Sequence, residues 1–181
     1  MLLESNSPDL CDWIARIRVG HQVLDLGCGD FSFAKRFVDN GAFVHCIDVD
    51  SEVPPPESVK FTRADLREVS ALSGVVDVGR LSHIFIRNVL HFLTAAEVES
   101  LFARFLSSAP AGCLLYIESF SRDPLPSFDT TFCSYWAGEN LAALVEGYAY
   151  IHAVGEREVV GKDFAGAVRT FFVSSIIAEI Q

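Results

Sequence analysis

The sequence has 181 residues, 50% of them hydrophobic, with a mean hydropathy of +0.31, which suits a single domain over residues 1–181 with a sizeable core. A formal net charge of −10 argues against a broad nucleic-acid surface, because phosphate binding rests on Lys and Arg. No apolar run is long enough to cross a membrane, and no basic region leads an apolar stretch at the start, so neither a membrane nor a secretory signal is expected.

In chain order, residues 8–18 read as an amphipathic helix. Ser7 is its cap, Pro8 its first turn, and Leu10, Trp13, Ile14 and Ile17 recur at helical spacing. Its expected work is to cover a sheet, with closure over a ligand as a secondary role. Cys11 is expected to pack rather than react. Val23-Leu24-Asp25-Leu26-Gly27-Cys28-Gly29-Asp30 follows, an apolar run that ends near two glycines and leads into a helix-like stretch, residues 31–40. This reads as a strand turning sharply into a helix, with backbone left open for a ligand.

The ligand is constrained by what the turn lacks and what it carries. A dinucleotide fingerprint needs a third glycine where the chain has Ser32. Asp25 and Asp30 flank the turn and disfavour a pyrophosphate, while favouring a ligand with an amino group and a cationic centre. The stretch Leu24-Asp25-Leu26-Gly27-Cys28-Gly29 resembles the first motif of class I S-adenosylmethionine (SAM) methyltransferases. The family usually has glycine where this chain has Phe31, at a point the cofactor approaches closely.

Residues 42–47 read as a second strand that stops at Asp48. An acid there, some 20 residues beyond the glycines, is where nucleoside-binding sheets place a ribose acceptor; Asp50 is the fallback. Pro54-Pro55-Pro56 makes residues 51–58 an extended connection. Residues 59–62 form a short strand that leads to Ala64-Asp65-Leu66. The resemblance implies that Asp65 meets the adenine amino group; the competing role is an N-cap for a helix over 66–72.

Residues 81–86 read as a buried strand running into Arg87-Asn88-Val89-Leu90-His91-Phe92-Leu93. This is similar to the segment after the fourth strand in the same methyltransferases, which crosses under the methionine part of SAM. The resemblance therefore assigns the cofactor to Asp25, Gly27, Cys28, Gly29, Asp48, Val49, Asp65, Leu66, Arg87 and Asn88. His91 is a candidate general base or substrate contact, with local hydrogen bonding as the plainer role. No Asn-Pro-Pro-Tyr or Asp-Pro-Pro-Tyr run is present, which disfavours methylation of nucleobase or glutamine nitrogen.

Thr94 and Glu97 form a capping box ahead of Val98, Leu101, Phe102, Phe105 and Leu106, and Pro110 and Gly112 break that helix. Residues 113–118 are a fifth strand, which brings Glu118, Ser119 and Phe120 toward the site; the competing role for Glu118 is a buried acid held by its neighbours. Five βα alternations define an open α/β sheet whose ligands lie beyond the carboxyl ends of its strands. Residues 121–136 are aromatic and Pro-containing, and read either as a substrate lid or as a hydrophobic wrap; Ser119, Phe132 and Trp136 are the candidate substrate contacts. Residues 139–146 are helix-like. Residues 148–154 and 168–177 read as two strands with a connection between them, similar to the family's terminal antiparallel pair.

The expected fold is thus α/β, Rossmann-like: a seven-stranded, mostly parallel sheet with helices on both faces and a C-terminal antiparallel strand pair. The resemblance implies a SAM-dependent methyltransferase yielding S-adenosylhomocysteine (SAH), similar to the small bacterial tellurite-resistance and thiopurine-type enzymes, acting on a heteroatom of a small molecule. A non-catalytic SAM- or SAH-binding protein is the alternative, and the Phe31 substitution would fit it. A non-methyl reaction and an NAD-dependent dehydrogenase are further readings, the last disfavoured by Ser32 and the acidic turn. Five cysteines (Cys11, Cys28, Cys46, Cys113 and Cys133) show no paired ligand spacing and an odd count, so reduced thiols, no metal site and a cytoplasmic location are expected. A monomer or homodimer is expected.

Overall fold

The computed structural model describes residues 8–50, 53–68, 72, 74–122, 131–162 and 168–181. Eleven elements organise them: α1 (Pro8–Ala15), β1 (Gln22–Leu26), α2 (Ser32–Asp39), β2 (Phe43–Asp48), β3 (Val59–Arg63), β4 (His83–Arg87), α3 (Ala95–Phe105), β5 (Leu114–Phe120), α4 (Gly138–Val145), β6 (Ala149–Lys162) and β7 (Val168–Ile180). The strands form one sheet in the order β3-β2-β1-β4-β5-β7-β6. The first five run parallel, and β7 inserts antiparallel between β5 and β6. This is the expected α/β sheet with its C-terminal antiparallel pair.

Because the inner strands are covered on both sides, their side chains are apolar on both. One face is largely aliphatic: Leu24, Leu26, Ile84, Ile86, Leu115 and Ile117 pack with Val98, Leu101 and Phe102 of α3 and Leu141 and Val145 of α4. The other is aromatic, built by Trp13 of α1, Phe37 of α2, Phe85 of β4 and Tyr116 of β5. Phe85 stacks on Tyr116 at 5.3 Å between ring centroids and meets Phe37 edge-on at 5.1 Å. Burying each such ring contributes about 1.5–3 kcal/mol.

Local signals explain the helix starts. The Thr94–Glu97 capping box is present: Thr94 N–H donates to the Glu97 carboxylate at 2.7 Å, and Glu97 N–H to Thr94 Oγ1 at 3.4 Å. Ser32 N–H donates to Asp30 Oδ1 at 3.0 Å, which supports the first turn of α2. No helix among the described residues is long and apolar enough to cross a membrane.

Three expectations change. No α-helix lies between β3 and β4 among the described residues: residues 66 and 67 form a turn, and Val78–Arg80 is a single 3₁₀ turn. Asp65 takes up the helix-breaking role itself, accepting the Arg67 N–H at 2.9 Å. The last two strands are longer than read, since pairing continues from Gly155–Ser175 out to Lys162–Val168 where a connection was expected. Glycine and charge had masked the alternation there. Cys11 is exposed instead of packed, because Leu10, Trp13 and Ile14 occupy the buried side of α1. Ser7, part of the 66–72 stretch and residues 123–130 of the expected lid lie outside the described residues.

Candidate functional site

In an open α/β sheet the crevice opens where neighbouring strands send their connections to opposite faces. Here that point is β1, flanked by β2 and β4. The glycine turn stands at its carboxyl end. Gly27 has φ +80°, and a Cβ on it would meet Val89 at 2.6 Å, so the segment after β4 seats directly on the turn. A Cβ on Gly29, φ +55°, would meet nothing within 4 Å. The first glycine thus serves internal packing, and the second leaves backbone open.

Phe31 keeps the left-handed backbone that its position requires, with φ +62°. Its ring turns into the core, 2% exposed, edge-on to Phe61 at 5.3 Å. The turn therefore has the shape a glycine would give it, and the phenyl ring stays out of the open crevice. Cys28 is half-buried beside it, and its thiol, together with burial, pushes the Cys46 thiol far up.

Asp48 ends β2 and binds the turn directly, its Oδ2 accepting the Gly29 N–H at 2.8 Å. Asp50 is engaged elsewhere, in an exposed ion pair with Arg63 at 2.9 Å. Val49 lies between them, half exposed, and its carbonyl accepts from Arg63 Nε at 2.9 Å. Asp65 is gripped by Arg67, with Nη2 at 2.6 Å, and this pair holds its carboxyl below the usual range. Leu66 is buried in the aliphatic core.

Asp25 is 2% exposed on the aromatic side of β1. Burial first, then the charge of Asp48, raises its pKa to about 8, with Arg87 opposing. Its Oδ2 has no hydrogen-bond partner among the described residues. Asn88, at the end of β4, has φ +54° and likewise carries a buried Oδ1 without a partner. Ser119 Oγ, buried in β5, is a third such atom. Native folds rarely leave buried polar atoms unmatched, so these three, near the carboxyl ends of β1, β4 and β5, are candidates for contact with a ligand.

The neighbouring acid is treated differently. Glu118 is fully buried, yet its Oε1 accepts from Arg87 Nε at 2.8 Å, and its Oε2 from Arg157 Nη2 at 2.6 Å and the Tyr116 hydroxyl at 2.9 Å. The Asn88 N–H donates to the Glu118 carbonyl at 2.9 Å. Arg87 also lies over the Phe33 ring, 4.7 Å from its centroid. Arg157 and Tyr116 were missed from sequence. The one available signal was Glu118 itself, an acid in an apolar strand that must find cations.

His91 sits in the single turn Leu90–Phe92, 2% exposed, with its ring 4.1, 4.7 and 4.2 Å from the centroids of Phe92, Phe120 and Phe132. Its carbonyl accepts the Cys133 N–H at 2.7 Å, so the segment entering α4 is stitched to the turn after β4. His91 and Phe132 are thereby brought together. Trp136 is not brought to them: it is buried in the aliphatic core and donates its indole N–H to Ser134 at 2.7 Å, so it anchors this segment instead of facing a substrate.

No family model and no curated protein matches the sequence. Solved structures do match. A SAM-dependent methyltransferase of Methanosarcina mazei is 15% identical, with 97% of this chain and 98% of that one aligned at a TM-score of 0.70. TehB of Haemophilus influenzae is 17% identical, at a TM-score of 0.74 over 98% of this chain and 63% of its own. The 1,6-didemethyltoxoflavin-N1-methyltransferase of Burkholderia thailandensis, solved with 1,6-didemethyltoxoflavin and SAH, is 18% identical, at a TM-score of 0.63 over 90% and 72%. The chain has the Rossmann-like fold that SAM-dependent methyltransferases share.

Proposed function

We propose that the chain is a SAM-dependent methyltransferase, a single domain that transfers a methyl group in line to a heteroatom of a small molecule. The observation that carries the reading is the Gly29–Asp48 junction: an open glycine turn, bonded to the acid that ends β2, at the crevice of a sheet with this fold. The ligand's chemistry fits the residues there. An ammonium needs acceptors, and Asp25 Oδ2 and Asn88 Oδ1 are buried acceptors without partners. A ribose diol needs a carboxylate beside the turn, which Asp48 supplies. Val49 offers an apolar surface for the base, and Asp65, with Arg67, lies at the adenine end. A dinucleotide is disfavoured by Ser32 and by the two carboxylates.

Bound SAM supplies an activated sulfonium methyl group. The chain's residues then have to hold the acceptor atom behind that methyl and exclude water, and orientation of this kind lowers a barrier by about 7–11 kcal/mol. The side chains that gather where the acceptor would sit are His91, Phe92, Phe120 and Phe132. A thiolate acceptor requires no base; a hydroxyl acceptor would use His91. The solved relatives that carry the name methyltransferase, one of them holding a small heterocycle and SAH, support the reading. We place the protein in the cytoplasm, as a monomer or homodimer with no nucleic-acid partner.

Calorimetry with SAM, SAH and NAD tests the cofactor, with Asp48→Ala as control. SAM binding that collapses in the variant supports the reading, and binding of NAD alone overturns it. Transfer of labelled methyl across thiol, amine and hydroxyl acceptors then separates an enzyme from a SAM-binding protein without activity.

A further inference from the structure

A second feature lies at the other end of the sheet. Around the amino ends of β1, β2 and β3 a cavity of about 340 Å³ opens, far along the strands from the glycine turn. Its chemistry departs from the rest of the core. β2 is an interior strand, and such strands are normally apolar on both faces. Yet on the face it shares with Ile47, β2 carries Phe43 and His45, and the register sets Lys60 of β3 opposite His45 and Thr62 opposite Ile47. His45 Nε2 lies 2.8 Å from Thr62 Oγ1. The connection after β3 makes no α-helix among the described residues to cover this face, and the cavity stands there.

The wall is cationic in a strongly acidic chain. Lys60 and Arg80 line it against a single acid, Asp77. Lys60 is held in place by donating to the Val75 carbonyl at 3.2 Å, while the Arg80 guanidinium has no hydrogen bond or ion pair among the described residues. Burial, then the charge of Lys60, lowers the His45 pKa to about 4, so the imidazole is neutral near pH 7. Phe43 is 63% exposed at the rim, and Val76 is buried at the floor. An exposed aromatic ring, an apolar floor, two cations and a neutral imidazole together describe an amphiphilic anion's receptor.

We propose that this cavity is a second small-molecule site, for a ligand that joins a carboxylate or phosphate to an apolar ring, with the anion on Lys60 and Arg80 and the ring on Phe43 and Val76. Calorimetry on the full chain with phenyl phosphate, benzoate, inorganic phosphate and benzyl alcohol tests it. One of the two aryl anions should bind at one site, and which of them binds tighter identifies the anionic group. Inorganic phosphate and benzyl alcohol should each bind roughly tenfold or more weakly, and Lys60→Gln with Arg80→Gln should weaken the aryl anion by a similar factor. Asp48→Ala should leave this binding intact while losing SAM, which separates the second site from the cofactor reading. Absence of aryl-anion binding, displacement of the probe by SAH, equal binding of inorganic phosphate, or unchanged affinity in the double variant each overturns the proposal. Should the double variant fold poorly, amide shifts in the wild type decide: changes at 44–45, 59–60 and 76–81 support the site, and changes confined to 25–30 overturn it.

Discussion

Two acids buried on the same side of one sheet have opposite surroundings. Glu118 of β5 is surrounded by Arg87, Arg157 and Tyr116, each within hydrogen-bond distance. Asp25 of β1 has one oxygen without a partner, and its pKa is raised to about 8. One strand, β4, separates them, and its Arg87 bears on both. A buried carboxylate either ionises among partners or keeps its proton. Glu118 is completed by partners within the fold, whereas one oxygen of Asp25 has none among the described residues. On the proposed function, the first acid belongs to architecture and the second to a ligand.

Breaking the first half of that comparison gives the largest effect. Glu118→Ala leaves two largely buried guanidiniums without their carboxylate and should cost about 3 kcal/mol or more in urea unfolding. Glu118→Gln keeps an acceptor and should cost less, and Tyr116→Phe about 1 kcal/mol. A loss below that level for Glu118→Ala would mean that the network is ornamental. On the ligand side the readout moves from stability to affinity. If Asp48 holds the ribose diol as proposed, Asp48→Asn should weaken SAM by about 2–3 kcal/mol, roughly 30- to 150-fold. Its thermal midpoint should fall only slightly, by the weakening of the Gly29 bond. Calorimetry and melting on the same sample read both numbers.

The two halves also differ in how much of them sequence reveals. The glycine turn, Asp48 and the Arg87–Leu93 segment are written in adjacent residues, because a strand, a sharp turn and a helix start are local events. The β strands and the Thr94–Glu97 cap are legible for the same reason. Arg157 is not: it meets Glu118 through a strand register set 39 residues away, in a stretch whose glycine and charges hide its alternation. Trp136 misled because aromatic residues in a Pro-containing segment suggest a ligand surface, and only tertiary packing shows the indole inside the core. Phe31 shows the reverse. Its identity departs from the resemblance, while its backbone angle keeps the turn's shape.

The Asp25 half is sharpened by pH. Its folded-state pKa lies above the ordinary 3.8, so between about pH 4 and 8 the folded chain holds a proton that the unfolded chain has lost. Stability without ligand should therefore fall as pH rises through that window, by up to about 1.4 kcal/mol per unit from this group. His45 and His83, lowered to about 4, act in the opposite sense below pH 6.5. The clean interval is pH 6.5 to 8. Binding of a cation to Asp25 should release the proton, so SAM affinity should rise with pH over the same interval. Asp25→Asn should flatten both slopes, and parallel slopes in variant and wild type would assign them to another group.

The smallest effect tests whether an unpartnered atom can be removed without harm to the fold. Asn88 stands at φ +54°, where glycine is at ease and alanine is strained by about 1 kcal/mol. Asn88→Gly should leave stability within about 0.5 kcal/mol, since backbone strain is relieved and the lost Oδ1 has no partner among the described residues. Asn88→Ala should cost about 1 kcal/mol through strain alone. If Oδ1 exists for the ligand's ammonium, both variants should weaken SAM by a similar factor, about tenfold or somewhat more for one hydrogen bond to a charged group. Equal affinity loss with unequal stability loss separates the atom from the backbone that presents it; affinity that tracks stability instead would return Asn88 to the architecture, alongside Glu118.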